Sequence, residues 1–122
     1  MNHLAITAHA PLSPSEAQAA VVGWFDALGL ELAYAEGDLM IAWVDDAIDP
    51  YDEGFPGAPS LVVEAQMHWL AEGVQVRCSV HHGEGWLDAT LAAEADRGLR
   101  RCLTADKRWI MDQRSLQRRW GP

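Results

Sequence analysis

Cysteine is scarce in this 122-residue chain: Cys78 and Cys102 are the only two, 24 positions apart and not in CxxC spacing. A disulfide framework therefore does not organise the fold, and reduced, partly buried thiols are expected. Basic residues are nearly missing from the first 96 positions, where Arg77 stands alone against 16 acids. Long apolar runs are missing too, since no stretch approaches the ~18 apolar residues needed to span a bilayer. Ala8-His9-Ala10 mimics a signal-peptidase site, but no Lys or Arg precedes it and the apolar stretch is short. A soluble, cytoplasmic protein is expected. The chain also lacks G-x-S-x-G, G-x-G-x-x-G and G-x-x-x-x-G-K-[ST], the local signatures of a nucleophile elbow, a dinucleotide site and a phosphate loop. No catalytic residue and no cofactor is implied, and the expectation is a protein that is not an enzyme.

What is present is ordinary in amount and uneven in layout. Hydrophobic residues make up 49% of the chain, charged ones 22%, and six residues are Trp, which argues against disorder. A chain of this length buries roughly two thirds of the surface its unfolded form exposes. Residues 1–122 are therefore expected to form one domain without a structural metal, the first twelve being flexible or a short edge segment.

Ser13-Pro14-Ser15-Glu16 marks a helix start: Ser13 caps, Pro14 takes the first helical position and Glu16 closes the capping box. Ala17, Val21, Trp24, Phe25 and Leu28 follow at helical spacing, and Gly29 supplies a left-handed stop. Glu16 and Asp26 are the only charged residues of this helix. So little charge predicts cover on more than one side, by the sheet and by a second copy of the chain in a homodimer.

From Leu30 the period changes to two. Leu32 and Tyr34 alternate with Ala33 and Ala35, then Leu39, Ile41 and Trp43 alternate with Met40, Ala42 and Val44. A two-residue turn within Glu36-Gly37-Asp38 predicts a hairpin with Leu32, Tyr34, Leu39, Ile41 and Trp43 on one face. Residues 45–59 carry three Pro, two Gly and five acids, and read as a long acidic loop. A second hairpin follows, with Val63, Ala65, Met67 and Trp69 in alternation and then Val74, Val76, Cys78 and Val80. Placing its turn at Glu72-Gly73 sets Glu64 opposite His81 and His68 opposite Arg77 on the outer face. Leu87, Leu91, Ala95, Leu99 and Cys102 return to helical spacing, and Asp106 to Trp120 reads as a third helix capped by Thr104, with Trp109, Leu116 and Trp120 on one side. The expected fold class is α+β: a four-stranded antiparallel sheet of two consecutive hairpins, with an N-terminal helix and one or two C-terminal helices packed on one face.

Charge is divided along the chain. Residues 1–96 carry a net −15 and residues 97–122 a net +6, giving the total of −9. The basic C-terminal segment, 104–122, holds Lys107, Arg108, Arg114, Arg118 and Arg119 interleaved with Trp109 and Trp120, a composition that grips phosphates and stacks on bases. The chain's overall negative charge opposes that use, and pairing of these bases with the protein's own acids is the preferred account of them. His68, Cys78, His81 and His82 have zinc-ligand chemistry, but alternation puts His68 and His81 on one face and Cys78 and His82 on the other, so no three converge.

Small size, acidity and a long acidic loop predict stoichiometric binding to another protein with a basic surface, in the manner of a chaperone, immunity protein or inhibitor. The expected contacts are Asp45, Asp46, Asp49, Asp52 and Glu53, with Tyr51 and Phe55 as aromatic anchors. The order helix, hairpins, helix resembles small acidic bacterial secretion chaperones in architecture alone, with no matching motif and no middle helix. The alternatives are a nucleic-acid-associated factor using the basic segment, and a small enzyme or metal protein using His68, His81 or His82.

Overall fold

The computed structural model describes residues 3–44, 61–83 and 85–112. The elements run β1 (His3–Ala10), α1 (Pro14–Ala27), β2 (Glu31–Glu36), β3 (Leu39–Trp43), β4 (Leu61–Leu70), β5 (Gly73–His82), α2 (Trp86–Ala105) and β6 (Ile110–Met111). The capping box that starts α1 is formed in both directions. Ser13 Oγ accepts from the Glu16 amide at 3.3 Å, and Glu16 Oε1 accepts from the Ser13 amide at 3.2 Å. These bonds hold the Glu16 carboxyl below its usual range. At the other end Gly29 takes φ +71°. The Leu30 amide then reaches back to the Phe25 carbonyl at 2.9 Å and that of Gly29 to Asp26 at 3.0 Å, satisfying carbonyls the helix leaves open.

The sheet is antiparallel throughout and has the order β2-β3-β4-β5-β1-β6. Among the described residues six strands stand where four were expected. The first extra strand is β1, in the segment expected to be flexible or an edge, and it pairs along its whole length with β5. Its inward residues, Ile6, Ala8 and Ala10, are buried, but two of the three are Ala, whose weak strand preference leaves little signal. The second is β6, where Ile110 pairs with His9 and Met111 with Ala8.

The inward residues of β1, β3, β4 and β5 join Ala17, Val21, Trp24 and Phe25 of α1 and Ala92, Ala95, Leu99 and Leu103 of α2 in one core. Both helices therefore lie on the same side of the sheet. Phe25, Ile6, Met67, Leu99 and Leu103 are among its largest fully buried side chains, each worth about 1.5–3 kcal/mol of burial. Gly98 sits where a Cβ would run into Leu28 Cδ2, so a residue that costs helix propensity lets α2 approach the end of α1.

Four further expectations are corrected in detail. The first hairpin turns at Gly37-Asp38, but a bulge between Leu32 and Tyr34 sends them to opposite faces: Leu32 opposes buried Ala42, and Tyr34 opposes Ile41. The second hairpin turns at Ala71-Glu72, so Glu64 opposes Ser79 and His68 opposes Gln75. Gly73 opens β5 at φ +150°, where a Cβ would strike the Ala10 carbonyl. In α2 the expected Ala95 and Leu99 are buried and Leu91 and Cys102 pack against the core, but Leu87 is 59% exposed and Asp96 is buried. Thr104 lies inside α2, its hydroxyl donating to the Arg100 carbonyl at 2.9 Å, and the expected third helix is absent over residues 106–112. There the chain turns at Asp106, buries Trp109 and enters β6.

Candidate protein-interaction surface

Of the residues expected to bind a partner, Asp45, Asp46, Asp49, Tyr51, Asp52, Glu53 and Phe55 lie outside the described residues, as do Arg114, Arg118 and Arg119. The residues that flank the acidic segment are described: the Val44 amide donates to the Leu61 carbonyl at 3.3 Å, at one end of β3 and β4. Lys107 is exposed. Arg108 bonds Asp106 at 2.8 Å and lies 3.7 Å from Glu16, an arrangement that raises the guanidinium pKa and lowers that of Asp106. Trp109 is buried edge-on against Trp24, ring centroids 5.0 Å apart at 66°, so its ring is used for packing.

The histidines divide as alternation requires. His68 is exposed on the outer face near the hairpin turn, opposite Gln75, and His81 lies on the same face at the far end of the hairpin, opposite Val62, with Nε2 3.7 Å from Glu64 Oε2. His82 and Cys78 are buried on the inner face. His82 Nδ1 lies 2.6 Å from the Gly83 carbonyl oxygen, which only accepts, so that nitrogen carries the proton. Burial pushes the Cys78 thiol up to about 12. Among the described residues no group of three or more His, Cys, Asp or Glu is placed to hold a metal ion, and no helix is long and apolar enough to cross a membrane.

The arrangement with most to offer a partner is the outer face of β2, β3 and β4. The registers align Tyr34, Ile41 and Glu64 in one cross-strand row. Glu31, Trp43 and Val62 form the row on one side, and Glu36, Leu39 and Gln66 the row on the other. Directly opposed side chains in such rows have Cβ atoms about 4.5–5.5 Å apart. Tyr34, Leu39, Ile41, Trp43 and Val62 thus adjoin as one apolar patch, with Tyr34 43% and Trp43 40% exposed. Carboxylates surround it. The Tyr34 hydroxyl donates to Glu36 Oε2 at 2.8 Å, which raises the phenol pKa and fixes both groups on the rim. An apolar centre with a polar, charged margin is the anatomy of a protein interface.

Sequence alternation had found this stripe and assigned it to the hairpin's common face, whereas Met40 and Ala42 are the buried residues of β3. The available signal was the uninterrupted apolar run Leu39–Val44, which reads as a strand covered on both faces.

Two concave features adjoin β2 and β3. Between α1 and β2 runs a groove of about 320 Å³ whose apolar floor is Ala19, Val22, Leu32, Ala35 and Met40, with Gln18 and Glu36 also lining it, continued by a smaller recess of about 120 Å³ against Phe25, Asp26 and Leu30. A cleft of about 360 Å³ lies among Leu28, Val44, Leu61 and Leu91, with Arg97 and Arg101 on its lip. No protein-family model matches the chain, and no curated protein matches it with significance.

Proposed function

We propose that the protein is a binding module that associates stoichiometrically with another protein, in the manner of a chaperone, immunity protein or inhibitor, through the outer face of β2, β3 and β4. The observation that carries this reading is the apolar patch of Tyr34, Leu39, Ile41, Trp43 and Val62, set in register on three strands and bordered by Glu36 and Glu64. Its partner is a protein with apolar anchors for the patch and a basic margin for the carboxylates. The net charge of −9 steers such a partner from a distance and repels acidic competitors. The acidic segment 45–59 follows directly on Trp43 and Val44 in sequence and supplies five of the carboxylates behind that net charge.

The test is capture from the native host's lysate, with nuclease treatment, using the wild-type chain and the Ile41→Lys variant. The expected result is one basic protein in stoichiometric amount on the wild type, resistant to nuclease and lost from the variant. Equal capture by both would remove the outer face from the interface. Loss of everything on nuclease treatment would transfer the function to the basic segment 104–122.

A further inference from the structure

We propose that the open edge of β2, with the groove beside it, receives an extended basic segment of the partner, which adds to the sheet as a further strand. This rests on the protein-binding reading above and states how the partner engages the same end of the sheet. Among the described residues β2 ends the strand order, and all six of its residues are exposed. Glu36 and Leu39 flank the two-residue turn and so form the pair that exchanges backbone bonds. The neighbouring non-bonded pair, Ala35 and Met40, then leaves the Ala35 amide and carbonyl pointing to the open edge.

A strand added there, about 4.8 Å from β2, sends alternate side chains to opposite faces of the sheet. On the inner side they meet the groove formed by Ala19 and Val22 of α1 with Leu32 and Ala35, which Gln18 and Glu36 also line toward the turn. Val22 and Leu32 are each 43% exposed, and the charge-poor helix wall suits apolar side chains. On the outer side they meet Glu36 and Tyr34, with Asp38 in the adjoining turn, which suits Lys or Arg. The bulge is part of this selectivity: it turns Leu32 toward the groove while Tyr34 keeps to the outer face.

The occupant's charge follows from the same residues. An in-register antiparallel second copy would set Glu31 against Glu36 at both ends of the pair, and directly opposed like charges destabilise a sheet. Edge carboxylates are a device against self-pairing, and the same carboxylates attract a basic strand.

The probe is a blocked peptide of alternating Lys and Val, seven residues long at about one strand's length, with two controls: Glu in place of Lys, and the same composition with all Lys at one end. Amide exchange and chemical shifts are followed by NMR on the full chain, and affinity is measured for wild type, Ala35→Pro and Val22→Gln. The alternating Lys peptide is expected to slow exchange at Ala35 by about tenfold or more at saturation. Its affinity should fall about tenfold in Ala35→Pro, where proline removes an edge-facing donor, and several-fold in Val22→Gln, an exposed site that leaves the strand intact. Failure of the Lys peptide to bind, or equal binding of either control, overturns the proposal. Shifts at Trp43 and Val62 without protection of Ala35 overturn the edge mode and leave the outer-face reading standing. Concentration-dependent protection of Ala35 without peptide gives the edge to a second copy and overturns it as well.

Discussion

Strands β3 and β4 are neighbours with opposite divisions of labour. β4 turns Leu61, Val63, Ala65 and Met67 to the helices and Val62, Glu64, Gln66 and His68 away, the alternation of an antiparallel strand with one wet face. β3 turns Met40 and Ala42 inward and the bulkier Leu39, Ile41 and Trp43 outward. One strand uses its apolar residues to build the core. The other has apolar residues to spare, and they collect on the face that the helices do not occupy, where only another molecule or another part of the chain can use them.

The sharpest way to break this contrast is to mutate one residue on each side. Met67→Ala empties a fully buried site in β4 and is expected to destabilise the fold by about 2–5 kcal/mol in urea unfolding, through lost burial and a residual cavity. Partner capture at equal folded concentration should be unchanged. Ile41→Lys, at a half-buried position on the outer row of β3, is expected to cost about 1–2 kcal/mol, less than Met67→Ala, and to weaken partner association by about tenfold or more. If Ile41→Lys unfolds the protein as Met67→Ala does, the outer patch is core, and the contrast between the strands disappears.

Much of this division was legible in the residues. The capping box at Ser13 and the stop at Gly29 are local chemistry, and both form as the sequence predicts. In the second hairpin the turn falls one residue early on each strand, yet every face comes out right. Moving both strands by one residue changes which residues oppose each other and keeps the parity of the pairing. The first hairpin shows where parity reasoning stops: a bulge adds one residue on one strand, and Leu32 and Tyr34 part company. β1 was obscured by alanines. The course of the chain through Trp109 was obscured because its cause is a contact with Trp24, 85 positions away in sequence. The acids expected to form the site, from Asp45 to Glu53, lie outside the described residues. The outer patch next to their stem was hidden by the ambiguity of an all-apolar strand.

A smaller effect measures how closed the inner face is. Cys78 lies on that face in β5, with its thiol pushed up to about 12 from the ordinary 9.0. The sign follows from linkage: above pH 9 the unfolded thiol ionises while the folded one stays protonated, so the unfolded state binds fewer protons and stability falls with rising pH. The contribution is whole below pH 9.0 and is lost progressively toward pH 12. Comparing wild type with Cys78→Ala should isolate it, the wild type losing stability more steeply in that window. Native alkylation at pH 8 should modify the half-buried Cys102 and spare Cys78 until denaturant is added. A Cys78 that reacts in the native protein would show the inner face to be open.

The smallest expected change in stability is at the border between patch and rim. Glu64 lies next to Ile41 in the cross-strand row and 3.7 Å from His81, with both side chains at least one third exposed. Water screens a contact this exposed, and Glu64→Gln is expected to alter stability by less than about 1 kcal/mol. Its effect should appear in kinetics instead. A rim carboxylate contributes to the field that draws a basic partner in, so the variant should associate more slowly than wild type at low salt and converge with it as salt screens the field. Dissociation, governed by the apolar centre, should change little. If Glu64→Gln speeds dissociation as strongly as Ile41→Lys does, then the carboxylate is desolvated in the complex, and the boundary between centre and rim lies farther from β3 than the row of Tyr34, Ile41 and Glu64.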